Sequence, residues 1–185
     1  MKDKIKKYKV IIIIAIFIIA IITTIIFSLF SKQEVDVNQS VNNEIIQQFM
    51  MEGDIIGWIK SEVIDLQAPI KHGIDYGLLE NYVGHFPDTA ILSGNIGLAA
   101  HNRGHTQNWF ERLYELEIGD KLTYITKFDT MYFEVSEIKQ VHEREVHVLY
   151  STVDTRLTLV TCIPNNRRYR LIVIATEIIK GDFEG

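Results

Sequence analysis

The amino-acid sequence predicts a mainly β fold, a closed or nearly closed β-barrel with short helices, preceded by an N-terminal transmembrane helix. Three observations support this prediction. The stretch from Val10 to Phe30 contains no charged residue. After Gly53, short apolar runs alternate with Gly, Pro, Asn and Asp, which is typical of strands and turns. The two most regular runs, 156–162 and 170–176, lie close together in the chain and can pair as neighbouring strands.

The N-terminal segment has the features of a membrane anchor. Residues 1–9 hold five lysines and one aspartate. As a helix, the uncharged run 10–30 would span roughly 31 Å, the thickness of the hydrocarbon core of a bilayer. Ser31, Lys32 and Gln33 follow without the small-residue cleavage site of a signal peptide, so we expect the helix to stay in place. The positive-inside rule then predicts a cytoplasmic tail at residues 1–9 and an extracellular location for everything after residue 30.

Charge and cysteine content exclude some functions for the extracellular part. The tail holds five of the 19 basic and one of the 24 acidic residues, so without it the net charge falls from −5 to −9. An acidic chain of this kind is not expected to bind nucleic acid. The single cysteine excludes an intramolecular disulfide, so the domain must be stabilised by its hydrophobic core.

We predict a linker at residues 31–43 and a folded extracellular domain at residues 44–185. The linker is polar and has no sustained apolar period. The domain begins with a short helix over 44–50, which has apolar residues on one face and is followed by Gly53.

Seven runs after Gly53 have the composition of strands, and two other stretches, 76–82 and 109–113, have that of short helical turns. Seven or eight short strands in about 125 residues favour a barrel over alternating βαβ units. The predicted strands are 57–60, 67–71, 97–101, 121–126, 131–136, 156–162 and 170–176.

The run 156–162 ends on Cys162, and the run 170–176 begins with Arg170. If these strands pair, the thiol and the guanidinium lie near each other at one end of a sheet. A nearby cation favours the thiolate form of a cysteine, which is the nucleophilic form. The alternative is that Cys162 is a small buried hydrophobic residue with no chemical role.

His101 is the histidine that best fits a role as an acid or base. It follows an apolar strand and precedes the loop Asn102-Arg103-Gly104, so it occupies the same kind of position as Cys162, at the edge of a rigid sheet. A metal site formed with His105 is disfavoured, because Gly104 argues against a helix and no third ligand is evident. The other four histidines are predicted to be surface residues: His72, His85, His142 and His147.

Three segments of the chain resemble the signature segments of the sortases, the membrane-anchored cysteine transpeptidases of Gram-positive bacteria. They are Ala99-Ala100-His101-Asn102, the strand from Thr158 to Cys162, and the strand from Arg170 to Thr176. Their order and spacing match as well. The segment from Asn108 to Leu113, with Gly119-Asp120, also resembles the family, and the likeness covers about residues 53–178.

The resemblance implies an eight-stranded β-barrel and a defined reaction. The cysteine would attack the peptide bond after threonine in a Leu-Pro-X-Thr-Gly-like sorting signal, form a thioester, and pass the surface protein to an amine of a peptidoglycan precursor. Carried over to this chain, Cys162 is the nucleophile, His101 is the general acid, and Arg170 donates hydrogen bonds to the substrate or the oxyanion. Arg167 and Arg168 are the competing arginines, and Arg168 is the stronger competitor because it has the same strand parity as Arg170.

Within the family, the sequence favours class D or a relative of class A. The connection from His142 to Leu157 is too short for the helix of class B, and a C-terminal membrane segment and an N-terminal lid, which class C would have, are not predicted. We expect no cofactor and no metal requirement, since the segment from Phe86 to Asn95 contains a single carboxylate, Asp88.

Two alternative functions remain open at this point. The same site would make the protein a surface cysteine protease if the acyl group passed mainly to water. If Cys162 were only structural, the barrel would be an anchored binding module without catalytic activity.

Overall fold

The computed structural model describes residues 16–30, 32–33, 44 and 55–183. The chain forms two compact units, Met1–Val37 and Asn38–Gly185, which are described separately. In the first unit, residues 16–30 are helical. Over the part of the chain that the structure describes, no helix combines the length and the apolar character that crossing a membrane requires. Residues 1–15, most of the predicted linker and the predicted helix at 45–50 lie outside the described residues, so their assignments stay predictions.

The second unit is a closed barrel of eight strands, which confirms the predicted β fold. The strand order around the barrel is β1-β2-β3-β4-β7-β8-β6-β5, and β5 pairs with β1 to close it. The strands are β1 (Ile55–Ser61), β2 (Leu66–His72), β3 (Val83–His85), β4 (Asn95–Ala99), β5 (Lys121–Ile125), β6 (Thr130–His142), β7 (Arg156–Ile163) and β8 (Asn166–Ile178).

Short helical elements connect the strands or end the chain. An α-helix at Tyr76–Leu79 and a 3-10 helix at Leu113–Glu115 lie in or next to the two predicted helical turns. A second 3-10 helix, Val146–Leu149, lies between β6 and β7. An α-helix at Lys180–Phe183 follows β8. The β6–β7 connection therefore contains a single four-residue helix, which agrees with the exclusion of a long class B helix there.

The barrel interior is filled by large apolar side chains from every part of the sheet. Alternate residues of the strands point inward, as a half-buried strand requires. Burying each of the aliphatic and phenylalanine side chains among them stabilises the fold by roughly 1.5 to 3 kcal/mol relative to leaving it exposed. The largest fully buried side chains are Tyr124, Phe110, Phe133, Ile56, Ile59, Ile70, Ile91, Ile96, Leu98, Leu113, Leu122 and Leu157.

All seven predicted strands are present, but two of them are much longer than predicted and an eighth was missed. β6 and β8 each have 13 residues. A register shift between Val135 and Glu137 interrupts the apolar alternation of β6, so the sequence pattern ends before the strand does. β8 starts with exposed polar residues that lack an apolar period. β3 has only three residues, too few to show any period.

The prediction that His85 lies on the surface is wrong. Its side chain is fully buried in β3. His85 Nε2 donates to the Ala90 carbonyl oxygen at 2.8 Å, and its Nδ1 lies 3.1 Å from Nδ1 of His72. These bonds satisfy both ring nitrogens, which is what allows a histidine to be buried. His147 is exposed as predicted, and His72 and His142 are half-buried.

The connection between β6 and β7 is held against the barrel by Asn95. Its Nδ2 donates to the carbonyl oxygens of Val148 at 2.8 Å and Tyr150 at 3.0 Å, while its Oδ1 accepts from Thr158 Oγ1 at 2.7 Å. Gly97 allows this close approach, because a Cβ at that position would lie 2.9 Å from the Leu149 side chain. The connection therefore packs directly over β4, next to β7.

Candidate active site

The register of β4 and β7 places His101 beside Cys162. The two strands are parallel, and the last residues that pair along the chain are Ala99 and Val160. His101 and Cys162 both lie two residues further on, where β4 has ended and β7 is about to end, so they lie at the same level and at the same edge of the sheet. The barrel thus brings together two residues that are 61 positions apart in the sequence.

The register of β7 and β8 places Arg170 opposite Cys162. These strands are antiparallel and joined by a tight turn, in which Asn165 has a positive φ of 61°. Cys162 and Arg170 are directly paired, and the register shifts between Cys162 and Ile163. Cys162 is exposed, so it is not the buried apolar residue of the alternative interpretation. The predicted pairing of the two strands is confirmed, and both side chains line the same pocket.

A shallow pocket of about 420 Å³ is centred on these residues. The barrel has larger depressions elsewhere, such as one of about 510 Å³ beside the β1–β2 turn, but that one is not lined by cysteine or histidine. The lining of the smaller pocket is mainly polar and basic: His101, Asn102, Arg103, His105, Glu143, Cys162, Ile163, Arg167 and Arg170.

Arg170 is fixed within this pocket by three acceptors. Its guanidinium donates to the carbonyl oxygens of Arg167 at 2.7 Å and Tyr169 at 3.0 Å, and to Glu143 Oε2 at 3.1 Å. Glu143 directly follows β6, the neighbour of β8 in the barrel. Arg168, the competing arginine, does not line the pocket. The structure therefore distinguishes Arg170 from Arg168 by position.

Hydrogen bonds tie the strand end of His101 to that of Cys162. Thr161 Oγ1 donates to the Ala100 carbonyl oxygen at 2.8 Å, and Asn102 Nδ2 donates to the Cys162 carbonyl oxygen. These two bonds flank His101 in sequence, one on each side. The backbone around both candidate catalytic residues is therefore held by the same contacts.

His101 is stacked on a second histidine. The ring centroids of His101 and His105 are 3.4 Å apart with an interplanar angle of 11°, and the ring of Tyr76 lies edge-on to His101 at 5.9 Å. Burial lowers the pKa of His101, the positive charge of His105 lowers it further, and the carboxylate of Glu80 opposes both effects. His101 is therefore neutral in a larger fraction of molecules than an ordinary surface histidine at the same pH.

The positions of His101 and His105 do not resemble metal ligands converging on one ion. Their rings lie face to face, and Nδ1 of His105 is 3.0 Å from Glu80 Oε1. Over the described ranges, no group of three His, Cys, Asp or Glu side chains is placed to hold a metal ion. The absence of a metal requirement stays a prediction.

Two acidic residues of the site, Glu80 and Glu143, were not identified from the sequence. Glu143 lies in a polar segment, and Glu80 lies in a predicted helical turn where nothing marks it as a partner of the loop after His101. Each is brought to the site by an element end, Glu80 by the helix at Tyr76–Leu79 and Glu143 by β6. Neither stretch of sequence contains a local feature that predicts this placement.

Comparison with known proteins identifies the barrel. A sortase A of Listeria monocytogenes is 28% identical over 130 residues, which cover 69% of this chain and 58% of that protein. A sortase D of Bacillus subtilis is 28% identical over 113 residues, covering 60% of this chain and 56% of that protein. The chain thus matches less than three-fifths of the length of either relative. A solved sortase D5 transpeptidase of Clostridium perfringens has a TM-score of 0.64 and 29% identity, and the match covers 80% of this chain and 98% of that one.

The matched region coincides with the barrel and contains all three candidate catalytic residues. The family model for the Sortase domain matches residues 59–178, which is well over half of the sequence, and the chain therefore belongs to the sortase family.

Proposed function

We propose that this protein is a cysteine transpeptidase that cleaves a Leu-Pro-X-Thr-Gly-like sorting signal and attaches the surface protein to an amine of the cell wall. The single observation that carries this proposal is the arrangement at the strand ends. An exposed Cys162 pairs with Arg170 on one side and ends level with His101 on the other. This is the combination of nucleophile, acid and fixed cation that acyl transfer through a thioester requires.

In the first half of the reaction, the Cys162 thiolate attacks the carbonyl carbon of the threonine in the sorting signal. The C–N bond to the following glycine breaks, and the glycine amine leaves with a proton from His101. The product is a thioester between Cys162 and the threonine carbonyl. In the second half, an amine of the peptidoglycan precursor attacks the thioester, His101 takes up the proton, and the thiolate is released as the new amide forms.

Arg170 supports these steps electrostatically. Its guanidinium stays charged at every accessible pH and offers several N–H donors in a fixed plane. Glu143 and two backbone carbonyl oxygens orient that plane beside Cys162. The positive charge stabilises the thiolate before attack and the negative charge on oxygen during the tetrahedral steps.

The acid role of His101 limits the fraction of protein molecules that can react at a given pH. A lowered pKa means that fewer molecules carry the protonated His101 at neutral pH, but those that do carry a stronger acid. Only the molecules with a thiolate at Cys162 and a proton on His101 begin the reaction. The rate therefore depends on the protonation of both groups, and its pH profile should be bell-shaped.

We place the protein at the cell membrane with residues 10–30 as a single-pass anchor, the N-terminus in the cytoplasm and the catalytic domain outside. The support is the charge asymmetry around an uncharged segment of membrane-spanning length. Its partners are then surface proteins with a C-terminal sorting signal and a peptidoglycan precursor. The relatives named above fit class D or class A.

The experiment is incubation of the full chain in detergent with a small library of sorting-signal peptides, with and without candidate amines, and analysis of the products by mass. A peptide cut after threonine and joined to the amine supports transpeptidation. Cleavage to the free acid in equal amounts with and without amine would instead make the protein a protease.

A thiol reagent tests the remaining alternative, a binding module in which Cys162 is structural. The exposed Cys162 should react with it in the folded protein. A folded protein with neither reaction toward the reagent nor peptide cleavage would contradict the proposal.

A further inference from the structure

The loop that follows His101 carries a second histidine whose position the proposed reaction does not explain. His105 is half-buried, its ring lies face to face with that of His101 at 3.4 Å, and its Nδ1 is 3.0 Å from Glu80 Oε1. The ring of Tyr76 contacts both histidines edge-on, at 5.9 Å from His101 and 5.6 Å from His105. One face of the catalytic histidine is therefore covered by a side chain that is itself fixed.

Glu80 is fixed at several points, which makes it a rigid anchor for His105. Its second carboxylate oxygen accepts from the backbone N–H and the hydroxyl of Thr106, both at 3.2 Å. Its backbone carbonyl oxygen accepts from the N–H of Gln107 at 3.0 Å. The hydrogen bond with His105, followed by that from the Thr106 backbone, lowers the pKa of Glu80 to about 2. Glu80 is thus a carboxylate across the working range, and His105 keeps a proton on Nδ1 to donate to it.

The loop is also closed on the His101 side. The N–H of Phe110 donates to the His101 carbonyl oxygen at 3.0 Å, and Phe110 is fully buried. Trp109 Nε1 donates to the Asn81 carbonyl oxygen at 2.9 Å. The two ends of the loop from His101 to Phe110 are therefore hydrogen-bonded to each other, and its second half is hydrogen-bonded to the segment after the Tyr76–Leu79 helix. This geometry leaves little freedom for the relative position of the two rings.

We propose that His105, held by Glu80, is a positioning residue that fixes the ring plane of His101 in the transpeptidase reaction. The role of His105 in catalysis rests on the proposed function of His101, but its effect on the orientation of the His101 ring does not. Nε2 of His101 has no hydrogen-bond partner among the described residues, so no such bond at that nitrogen orients the ring. Stacking against a fixed ring supplies the missing constraint. A ring held in one orientation can donate its proton without first changing its rotamer.

The stack also couples the charges of the two histidines. Two protonated imidazoles face to face at this distance repel each other, so protonation of one disfavours protonation of the other. The charged or titratable groups around His101 come from its own loop, the helix segment, and the ends of β6, β7 and β8: Arg103, His105, Tyr76, Glu80, Glu143, Cys162, Arg167 and Arg170.

Two substitutions of His105 separate the effect of ring stacking from the effect of charge. His105→Phe keeps an aromatic ring for stacking and removes the second charge. His105→Ala removes both. His147→Phe is the matched control, because His147 is an exposed histidine outside the pocket. Each variant is made in the full chain, and the imidazole C2–H signal of His101 is followed by NMR against pH, with His101→Gln used to assign it.

We expect His105→Phe to raise the pKa of His101 and to shift the pH profile of kcat/KM in parallel, with the maximal rate kept within about threefold. We expect His105→Ala to lower kcat roughly tenfold or more with little change in KM, because a loosened acid is less often in position. His147→Phe should leave the His101 titration unchanged. An unaltered titration and an unaltered pH profile in both His105 variants would overturn the proposal.

The positioning role of His105 and the transpeptidase activity can be tested separately. If no peptide is cleaved by the wild-type chain but the His101 signal still shifts in His105→Phe, the proposed function fails and the coupling between the rings stands. If His105→Phe loses as much kcat as His105→Ala, an aromatic ring at this position does not orient His101, and the positioning role is wrong even though the protein is a transpeptidase.

Discussion

Cys162 and Arg170 are paired residues on β7 and β8, and the register between the strands shifts immediately after them. The pairing fixes the distance between the two backbones, while the shift and the turn that follows free the chain to expose the cysteine side chain. A thiol in a regular central strand would be covered by neighbours on both sides. At this edge it is accessible to a peptide and remains beside a permanent cation.

The nucleophile assignment predicts that Cys162→Ala abolishes both cleavage and transfer. The fold should be kept, because Cys162 is exposed and its loss leaves no buried cavity. The measurement is product formation by mass, with circular dichroism as the check on folding. Substantial residual activity in a folded alanine variant would exclude Cys162 as the nucleophile.

The pairing of Arg170 also predicts a difference between two arginines of one strand. Arg170→Lys keeps the charge but loses the planar fork that contacts Glu143 and the Arg167 carbonyl oxygen, so we expect a loss of about 2 to 4 kcal/mol of transition-state stabilisation. Arg168→Lys is the matched control and should have wild-type kcat/KM, because Arg168 does not line the pocket. The comparison is made across pH with one peptide. A larger loss for Arg168→Lys than for Arg170→Lys would reverse the assignment.

Much of the barrel could be predicted because most of its strands have an apolar pattern that is visible in the sequence. β7 and the apolar part of β8 are regular apolar runs, and their separation in the sequence suits an antiparallel pair. The parallel pairing of β4 with β7, which brings His101 to Cys162, has no local signal. The identification of His101 depended on its position after an apolar strand and on the family resemblance. β3 and the burial of His85 were missed, because three residues cannot show a period.

The polar surroundings of the site were less predictable for the same physical reason. Glu80, Glu143 and the stacking of His105 on His101 depend on where loops and strand ends meet in space. Loop residues have no repeating pattern that tells which of them converge. The sequence therefore predicted that His101, Cys162 and Arg170 lie together, and not which side chains surround them.

The pocket charge predicts a preference for acidic peptides. Arg103 and Arg167 line the pocket without an ion-pair partner among the described residues, and the only carboxylate in its described lining, Glu143, is paired with Arg170. An acidic residue at position X of the sorting signal should therefore be cleaved more efficiently than a lysine there, and added salt should reduce the difference.

Arg167→Gln tests this charge preference directly. Because exposed ion pairs contribute little, the ratio of kcat/KM for X = Glu over X = Lys should fall by a factor of roughly 1.5 to 5. Arg168→Gln, its neighbour outside the pocket, should leave the ratio unchanged. Equal ratios in wild type and Arg167→Gln would show that this arginine does not contact the peptide.

The division of the chain predicts that the barrel is self-sufficient. The unit Asn38–Gly185 is compact by itself and contains the barrel and its core. A fragment of residues 31–185 should be soluble, folded and active toward peptides. Size-exclusion chromatography, circular dichroism and the mass assay measure these properties. An aggregated or unfolded fragment would contradict the predicted domain boundary.

The buried His85 predicts that the fragment loses stability in mild acid. Burial is the main cause that lowers the pKa of His85 to about 4, whereas in the unfolded chain it titrates near its ordinary value of 6.5. Between these values the unfolded chain binds one more proton than the folded one. Stability is therefore fully present above about pH 6.5 and falls as the pH decreases toward 4, by roughly 3 kcal/mol for this group alone. His72, whose pKa burial also lowers, acts in the same direction.

The measurement is the free energy of unfolding of the 31–185 fragment in urea, at several pH values from 7.5 to 4.5. His85→Gln removes the titrating ring from the pair with His72, so its stability should be lower at pH 7.5 but should change less on acidification than that of the wild type. His147→Gln, at an exposed position, should keep the wild-type slope. The reason is that only a group with different proton affinity in the folded and unfolded states makes stability depend on pH. A wild-type free energy of unfolding that is constant across this range would show that His85 is protonated as readily in the barrel as in the unfolded chain.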